Sequence, residues 1–234
     1  MARRKKEEKP VEEPKKRKYV RRQKEVDPIV KEVPIQDVVV QETVPEATQE
    51  KPMKQYSLII EGVDASGKTT FIEALRKHLG YPLMYHHFQF PIGDTTDERY
   101  GFQVGQFHLM FDMIRAATNV GNSFIFDRAH IGEFIYSPTL RNRVPTYLGT
   151  LERKNADLPV IIVQVKCDPV VVARRFKETR KTERAPSVQD IAQLQNAFSY
   201  YISKSIFKNM SIDTTHDPDP VECVKKVADF IRSI

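Results

Sequence analysis

The stretch SLIIEGVDASGKTTFIEAL, residues 57–75, changes from an apolar run typical of a buried strand to a pattern typical of an amphipathic helix. Between the two lies GVDASGKT, residues 62–69, which fits the pattern G-x-x-x-x-G-K-[ST]. Such glycines let backbone N–H groups point at an anion held at the helix N-terminus. The strand, loop and helix in this order predict a phosphate-binding loop for a nucleoside triphosphate, rather than a chance glycine-containing turn.

Two side chains in this loop have predicted roles of their own. The Lys68 ammonium is expected to reach the β- and γ-phosphates, and the Thr69 hydroxyl is expected to bind Mg²⁺. ATP is therefore the predicted co-substrate and Mg²⁺ the predicted cofactor. The complete predicted ATP site consists of Gly62, Val63, Asp64, Ala65, Ser66, Gly67, Lys68, Thr69 and Thr70.

Outward from the loop, apolar runs alternate with helical patterns through residues 55–234. Strands are predicted at 56–61, 83–88, 123–126, 160–165 and 210–213. Helices are predicted at 68–79, about 101–117, 131–136 and onward through 146–153, 169–177, 188–203 and 220–234. The strands are apolar throughout, as in PVIIVQV, which is typical of a parallel sheet covered on both faces. We therefore predict a three-layer α/β domain with a parallel five-stranded sheet.

Residues 1–54 have a different composition, with 15 lysines and arginines against 11 acidic residues and no apolar period. Such a segment buries too little apolar surface to offset the entropy of ordering it, so we predict a disordered charged tail. The tail carries most of the formal charge of +6, and the domain at 55–234 is nearly neutral. Its basic run KKRKYVRR, residues 15–22, is interpreted as solvated; contact with nucleic acid and a targeting address are the alternatives.

Cysteine usage and hydropathy bear on location. Cys167 and Cys223 give neither a disulfide framework nor metal-ligand spacing, which suits a reducing compartment. No run approaches the ~20 apolar residues of a membrane span, and the N-terminus lacks the apolar core of a signal peptide. We expect a cytoplasmic protein that has no membrane segment.

Two further motifs extend the predicted site. SFIFDR, residues 123–128, is an apolar strand whose carboxyl end carries an acid and a base, where ligands of open α/β sheets bind; a surface ion pair is the alternative. ARRFKETRKTER, residues 173–184, holds four arginines that suit a mobile lid over a migrating phosphoryl group; a solvated basic helix is the alternative. Arginine's planar fork favours the lid, because it makes bidentate contacts with phosphate.

Taken in order, these motifs resemble the thymidylate kinase family of P-loop nucleotide kinases over residues 56–234. The resemblance implies that Asp64 approaches the 3′-hydroxyl of a deoxynucleotide. It also implies that in HLMFDMIR, residues 108–115, Phe111 stacks on thymine and Arg115 reads its O4. A spacing of four residues puts both side chains on one helix face.

The same resemblance assigns roles in DRAHIGEFIY, residues 127–136. Asp127 would bind Mg²⁺, Arg128 would bind the acceptor phosphate, and Tyr136 would exclude a ribose 2′-hydroxyl. CDPVVVARR resembles the helix that leads into the lid, and SIDTTHDP, residues 211–218, resembles the last strand and the loop beside adenine.

Three features depart from the family pattern. The segment after FP, residues 90–91, has no arginine for the acceptor phosphate, which leaves Arg99 as a substitute. Ala65 stands where one branch has an arginine, so the catalytic cation is expected from the lid, as Arg180 or Arg184. Glu133 lies where relatives have a small or amide residue near the base; its carboxylate accepts from N–H groups but repels O4, which leaves the preferred pyrimidine open.

The sequence thus predicts transfer of a phosphoryl group from ATP to a deoxynucleoside monophosphate, first of all dTMP, for DNA precursor synthesis. The predicted catalytic residues are Lys68, Asp127, Arg128, Arg180 and Arg184. One alternative is a thymidine kinase with Glu133 or Glu61 as the base; another is a nucleic-acid-associated NTPase that uses the basic tail; a third is a non-catalytic relative. The apolar face of FQVGQFHLMFDMI, residues 102–114, is compatible with a homodimer but equally with core packing.

Overall fold

The computed structural model describes residues 54–88, 95–180, 185–216 and 219–234, with backbone alone at 139–141. The predicted tail at 1–54 therefore lies, apart from Lys54, outside the described residues. Within the described ranges the elements in chain order are β1 (Ser57–Glu61), α1 (Lys68–His78), β2 (Leu83–His87), α2 (Thr96–Asn119), β3 (Ser123–Asp127), α3 (Ile131–Arg141), α4 (Leu148–Lys154), β4 (Val160–Lys166), α5 (Pro169–Thr179), α6 (Val188–Lys204), β5 (Lys208–Asp213) and α7 (Pro220–Ser233).

The five strands form one sheet in the order β2-β3-β1-β4-β5, and every neighbouring pair is parallel. This confirms the predicted α/β class. Asp127, at the end of β3, lies opposite Ile60 of β1 and His87 of β2. Because all strands run the same way, the segments that follow β1, β2, β3, β4 and β5 emerge at one edge of the sheet, where ligands of such folds bind.

Helices cover both faces of the sheet, as three layers require. Successive residues of β1 point to opposite faces, and Ile60 packs in a core with Leu75 of α1 and Val227 of α7. Ile59 packs in a second core with Phe111 of α2 and Phe198 of α6. Both faces of the central strands β1 and β4 are therefore buried, which explains their uninterrupted apolar runs, whereas the edge strands β2 and β5 are largely exposed.

Two helix boundaries differ from the prediction, each for a local reason. α2 begins at Thr96, five residues before the predicted start, because Thr95 and Glu98 form a capping box around its first turn. The segment predicted as one helical run from 131 divides into α3 and α4, since Asn142 adopts a left-handed conformation (φ 48°) that ends α3. No helix in the described ranges is both long enough and apolar enough to cross a membrane.

Candidate active site

The loop at 62–67 joins β1 to α1 with a backbone that its glycines permit. Gly62 (φ 151°) lies so close to β4 that a Cβ atom there would be 2.5 Å from the carbonyl oxygen of Val165. Gly67 is the N-cap of α1 with φ 89°, in the left-handed region that favours glycine. Ala65 also has positive φ (59°), which stores strain in the middle of the loop. The two motif glycines are thus required by the path of the chain.

The N-terminus of α1 meets the requirements of an anion site. Gly67 has no side chain to accept a hydrogen bond from the first-turn N–H groups, and the first turn contains no acidic residue. Those donors and the positive end of the helix dipole therefore face the loop. Thr69 and Thr70 are exposed at this end of the helix.

The Lys68 side chain lies across the loop. Its ammonium donates hydrogen bonds to the carbonyl oxygens of Gly62 (2.9 Å) and Val63 (2.7 Å), and the residue is only 6% exposed. Burial, reinforced by the nearby Arg128 guanidinium, lowers the pKa of the Lys68 ammonium to about 8. A buried cation of this kind is stabilised by a multiply charged anion, which the predicted phosphates would supply.

The loop after β5 supports the phosphate loop from the side. The Thr214 hydroxyl donates a 2.6 Å hydrogen bond to the carbonyl of Ser66, and the Arg175 guanidinium donates to the carbonyl of Thr214 at 2.8 Å. Arg175, one of the four predicted lid arginines, therefore binds the loop after β5, and that loop in turn binds the loop at 62–67 through Thr214. The sequence analysis missed Thr214 as a support, because residues 148 positions apart are brought together by the sheet order alone.

Two cations from different segments meet at Asp64. Arg128, which follows β3 with φ 69°, donates to Oδ1 of Asp64. Arg180, at the end of α5, lies 3.3 Å from Oδ2 of the same carboxylate. The structure thus brings Asp64, Arg128 and Arg180 together near Lys68. Arg184 lies outside the described residues.

Asp127 presents its two carboxylate oxygens differently. Oδ2 accepts hydrogen bonds from the Tyr85 hydroxyl (3.3 Å) and from Nδ1 of His87 (3.1 Å). Oδ1 is buried and has no hydrogen-bond partner among the residues that the structure describes. A buried carboxylate oxygen without a partner is an unfavourable arrangement that a cation relieves.

These residues fit the predicted Mg²⁺. A hydroxyl and a carboxylate oxygen are the hard ligands that Mg²⁺ prefers, and it takes few of them from protein when phosphates and water supply the rest. Thr69 and Asp127 are the ligands that the sequence predicts. No cluster of three or more His, Cys, Asp or Glu suited to a metal occurs in the described ranges.

Glu61 and Tyr136 form a second polar pair at the root of the loop. Glu61 is 1% exposed; Oε1 accepts from the Ala129 N–H at 3.0 Å, and Oε2 has no partner at hydrogen-bond distance in the described part of the chain. A Cβ atom on Gly132 would lie 3.6 Å from the Tyr136 ring and 3.9 Å from Oε2 of Glu61. The carboxylate and the phenol ring therefore approach each other across a glycine.

The pKa values of both groups reflect this burial. Burial raises the pKa of the Glu61 carboxyl above its usual value, against the opposing effects of His130 and Arg128. Burial, with the Asp64 carboxylate, raises the pKa of Tyr136 to about 12. Tyr136 is thus a neutral phenol beside Asp64 and Arg128, and its action against a ribose 2′-hydroxyl stays a prediction.

Phe111 and Arg115 make contacts that do not involve the loop at 62–67. Phe111 is 1% exposed in the core, with its ring centroid 5.7 Å from those of Phe207 and His130. Arg115 binds Asp157, in the segment that precedes β4, through two hydrogen bonds of 2.7 and 3.2 Å. The roles of the pair in stacking on and reading a base stay predictions.

The N-terminal half of α2 contains a buried residue that the sequence analysis did not single out. Gln103 is 2% exposed, and its Oε1 has no hydrogen-bond partner among the described residues. One turn further on, the Phe107 ring centroid lies 5.5 Å from that of Phe88, just after β2. Gln103 therefore lies on the buried face of α2, near the carboxyl end of β2. Its signal in the sequence was a glutamine at a core position of an apolar helix pattern.

The remaining predicted residues lie at the same edge without a demonstrated contact to the loop. Arg99 is exposed in the first turn of α2, and Glu133 is half-buried in the first turn of α3. Arg174 is exposed on α5, 4.0 Å from Glu178. Roles for Arg99 and Glu133 in binding an acceptor stay predictions.

Comparisons with known proteins agree with this fold. No family model matches the chain, and no curated protein matches it in sequence. Among solved structures, the YorR protein of Bacillus subtilis, in complex with phosphorylated GDP, is 19% identical; the match covers 75% of this chain and 95% of that one, with a TM-score of 0.56. Deoxyadenosine kinase from M. mycoides, with dCMP and dCDP, is 18% identical over 76% and 100% of the chains, with a TM-score of 0.48. The first likeness establishes a shared α/β fold.

Proposed function

We propose that this protein is a kinase that transfers the γ-phosphoryl group of ATP to a deoxynucleoside monophosphate, with dTMP as the first acceptor to test. The observation that carries the proposal is the convergence of Arg128 and Arg180 on Asp64, beside the Lys68 loop. Phosphoryl transfer depends on cations placed around the migrating group, and an acceptor that is itself a phosphate needs further positive charge. The YorR complex, which holds a phosphorylated nucleotide, supports the same class of ligand.

The proposed mechanism needs positioning more than proton transfer. The N–H groups of residues 62–69 and the Lys68 ammonium hold the β- and γ-phosphates. Arg128 binds the acceptor phosphate, one of whose oxygens attacks the γ-phosphorus in line with the departing ADP oxygen. That oxygen is ionised near pH 7, so no general base is required. Arg180 leaves Asp64 for the transferring group, whose negative charge is greater.

Thr69 and Asp127 would hold the Mg²⁺, which neutralises charge on the β- and γ-phosphates when bound. Tyr136 lies with Asp64 and Arg128, where a phenol ring occupies the space that a ribose 2′-hydroxyl would need. Gln103 replaces the pair Phe111 and Arg115 as the proposed base-reading residue. Its amide offers both a donor and an acceptor, so it fits the edge of more than one base.

The decisive experiment is a coupled assay of ADP release with Mg²⁺, ATP and a panel of dTMP, dUMP, dCMP, dAMP, dGMP, UMP and thymidine. We expect turnover with deoxynucleoside monophosphates, first of all dTMP, and little with UMP. The Lys68→Ala variant is the control for contaminating kinases and is expected to be inactive. Turnover of UMP equal to that of dUMP would remove Tyr136 from its proposed role, and no turnover of any monophosphate would overturn the proposal.

Glu61 supports a second candidate, a deoxynucleoside kinase. A nucleoside 5′-hydroxyl is not ionised at neutral pH, so its phosphorylation needs a general base. Glu61 is a buried carboxylate with a raised pKa and an oxygen that has no partner in the described residues, next to Tyr136. Thymidine turnover without dTMP turnover, lost in Glu61→Gln, would select this candidate.

A further inference from the structure

Asp127 is held by two residues of the neighbouring edge strand that neither the sequence motifs nor the proposed mechanism uses. Tyr85 and His87 alternate on β2 with Met84 and His86, so their side chains project from the same face. Both reach one atom, Oδ2 of Asp127, at 3.3 and 3.1 Å. His87 is also the register partner of Asp127 in the sheet.

The two donors leave the carboxylate with one available oxygen. With Oδ2 accepting from a phenol and an imidazole, the carboxylate plane cannot turn without losing a hydrogen bond. Oδ1 then stays in its buried position, where no partner occurs among the described residues. Asp127 is close enough to Lys68 for its charge to raise that ammonium's pKa, so the carboxylate lies beside the phosphate loop.

Tyr85 is itself held in place from α1. The Arg76 guanidinium lies over the Tyr85 ring, 5.5 Å from its centroid. Both Tyr85 and the imidazole of His87 are nearly half exposed, so neither is a core residue whose size the fold depends on. Exposed polar side chains that converge on one oxygen of a largely buried carboxylate indicate a positioning role rather than packing.

We propose that Tyr85 and His87 are positioning residues that orient Asp127 so that it binds the nucleotide-bound Mg²⁺ through Oδ1 alone. This inference rests on the proposed function, since it concerns the metal that accompanies ATP. Groups that hydrogen-bond to a metal ligand fix its orientation, and their loss typically costs about 10- to 100-fold in metal affinity or activity. In this role the Nδ1–H of His87 donates to Oδ2 of Asp127.

The test measures metal binding without catalysis. Mn²⁺ serves as the probe, titrated by electron paramagnetic resonance into protein saturated with a non-hydrolysable ATP analogue and no acceptor. We expect Tyr85→Phe combined with His87→Ala to weaken Mn²⁺ binding by about 10- to 100-fold. His87→Asn, whose amide retains a donor near the Nδ1 position, should restore most of the affinity lost in His87→Ala.

Two controls separate positioning from general damage. Tyr200→Phe makes the same chemical change on an exposed residue of α6 and should leave Mn²⁺ affinity unaltered. Binding of the ATP analogue in the presence of EDTA and the melting temperature should change little in every variant. Wild-type Mn²⁺ affinity in the folded double variant, or no rescue by His87→Asn, would overturn the inference.

The outcomes also separate this inference from the proposed function. If the wild-type protein turns over no monophosphate but the double variant still loses Mn²⁺, the acceptor assignment fails and the role of Tyr85 and His87 stands. If the monophosphates are turned over and the double variant binds Mn²⁺ normally, only the role of Tyr85 and His87 fails. If the wild-type complex binds no Mn²⁺, both fail.

Discussion

Asp64, within the phosphate-binding loop, forms an ion pair with Arg128, which follows the neighbouring strand β3. Arg180 approaches the other oxygen of the same carboxylate. One acid of the loop thus holds the two cations that the proposed chemistry needs, and it does so at the place where phosphates are expected. Binding of phosphate must compete with Asp64 for both guanidinium groups.

Neutralising Asp64 should therefore strengthen the binding of phosphate groups. We expect Asp64→Asn to lower the Kd for ADP by about two- to fivefold at low ionic strength, with the difference shrinking toward 1 M salt, because partly exposed charges are screened. Isothermal titration calorimetry measures this. Asp229→Asn, which removes an exposed partner of Arg232 on α7, is the matched control. Equal or weaker ADP binding in Asp64→Asn would contradict the competition.

Lys68 should make stability depend on pH in a defined window. The pKa of its ammonium is about 8 in the folded protein against 10.5 usually, so the unfolded chain binds more protons between these values. The free energy of unfolding should therefore rise as pH rises from about 8 to 10.5. Below about pH 8 it should be about 3 kcal/mol lower than above pH 10.5. Urea unfolding should show Lys68→Met gaining stability relative to wild type at pH 7, and losing that advantage at pH 10. A pH-independent difference would contradict the shift.

Gln103 offers a clear contrast between a base-reading and a core role. If its amide reads the acceptor base, Gln103→Leu should raise the acceptor KM about tenfold or more, with the ATP KM unaltered. If it is only a core residue, removing a buried amide whose oxygen has no partner in the described residues should raise the melting temperature and leave kinetics alone. Gln106→Leu, one turn along the less buried face, is the control.

Arg115 should be dispensable for acceptor recognition. Its guanidinium binds Asp157 near the amino ends of the strands, on an exposed surface. We expect Arg115→Ala and Asp157→Ala to leave the KM for the acceptor within about twofold of wild type, because exposed ion pairs contribute little. Steady-state kinetics is sufficient for this measurement, and a tenfold rise confined to Arg115→Ala would return that residue to the base site.

The buried pair of Glu152 and His130 should contribute to the stability of the fold. Glu152 accepts hydrogen bonds from His130 (2.6 Å), from the Ser205 hydroxyl and from the Ile206 N–H, which joins α4 to the segments after β3 and α6. Glu152→Ala leaves these donors buried without a partner, so we expect a loss of about 3 kcal/mol in the free energy of unfolding. Glu222→Ala, at an exposed pair with Lys225, should have little effect. A comparable loss in both variants would rule out a special role for the buried pair.

The fold was largely predictable because its signals are local. The apolar strands, the caps of the helices and the glycine-rich loop depend on neighbouring residues, and the alternation of strands and helices allows few arrangements. The boundary errors at α2 and between α3 and α4 also have local causes, a capping box at Thr95 and the left-handed Asn142. The roles carried over from a family resemblance stay predictions, since they assume that each helix keeps the family's position relative to the sheet.

The sequence by itself determined the glycine-containing loop between β1 and α1, because Gly62, Gly67, Lys68 and Thr69 lie within one short segment. It could not determine the packing partners of α2, since Gln103 and Phe111 lie on one apolar face. Tertiary structure placed the Phe111 ring beside Phe207 and His130, and it also joined Tyr85, His87 and Asp127, which come from two strands and meet through their register. Contacts between distant segments depend on the order of the strands in the sheet, and no local sequence pattern indicates that order.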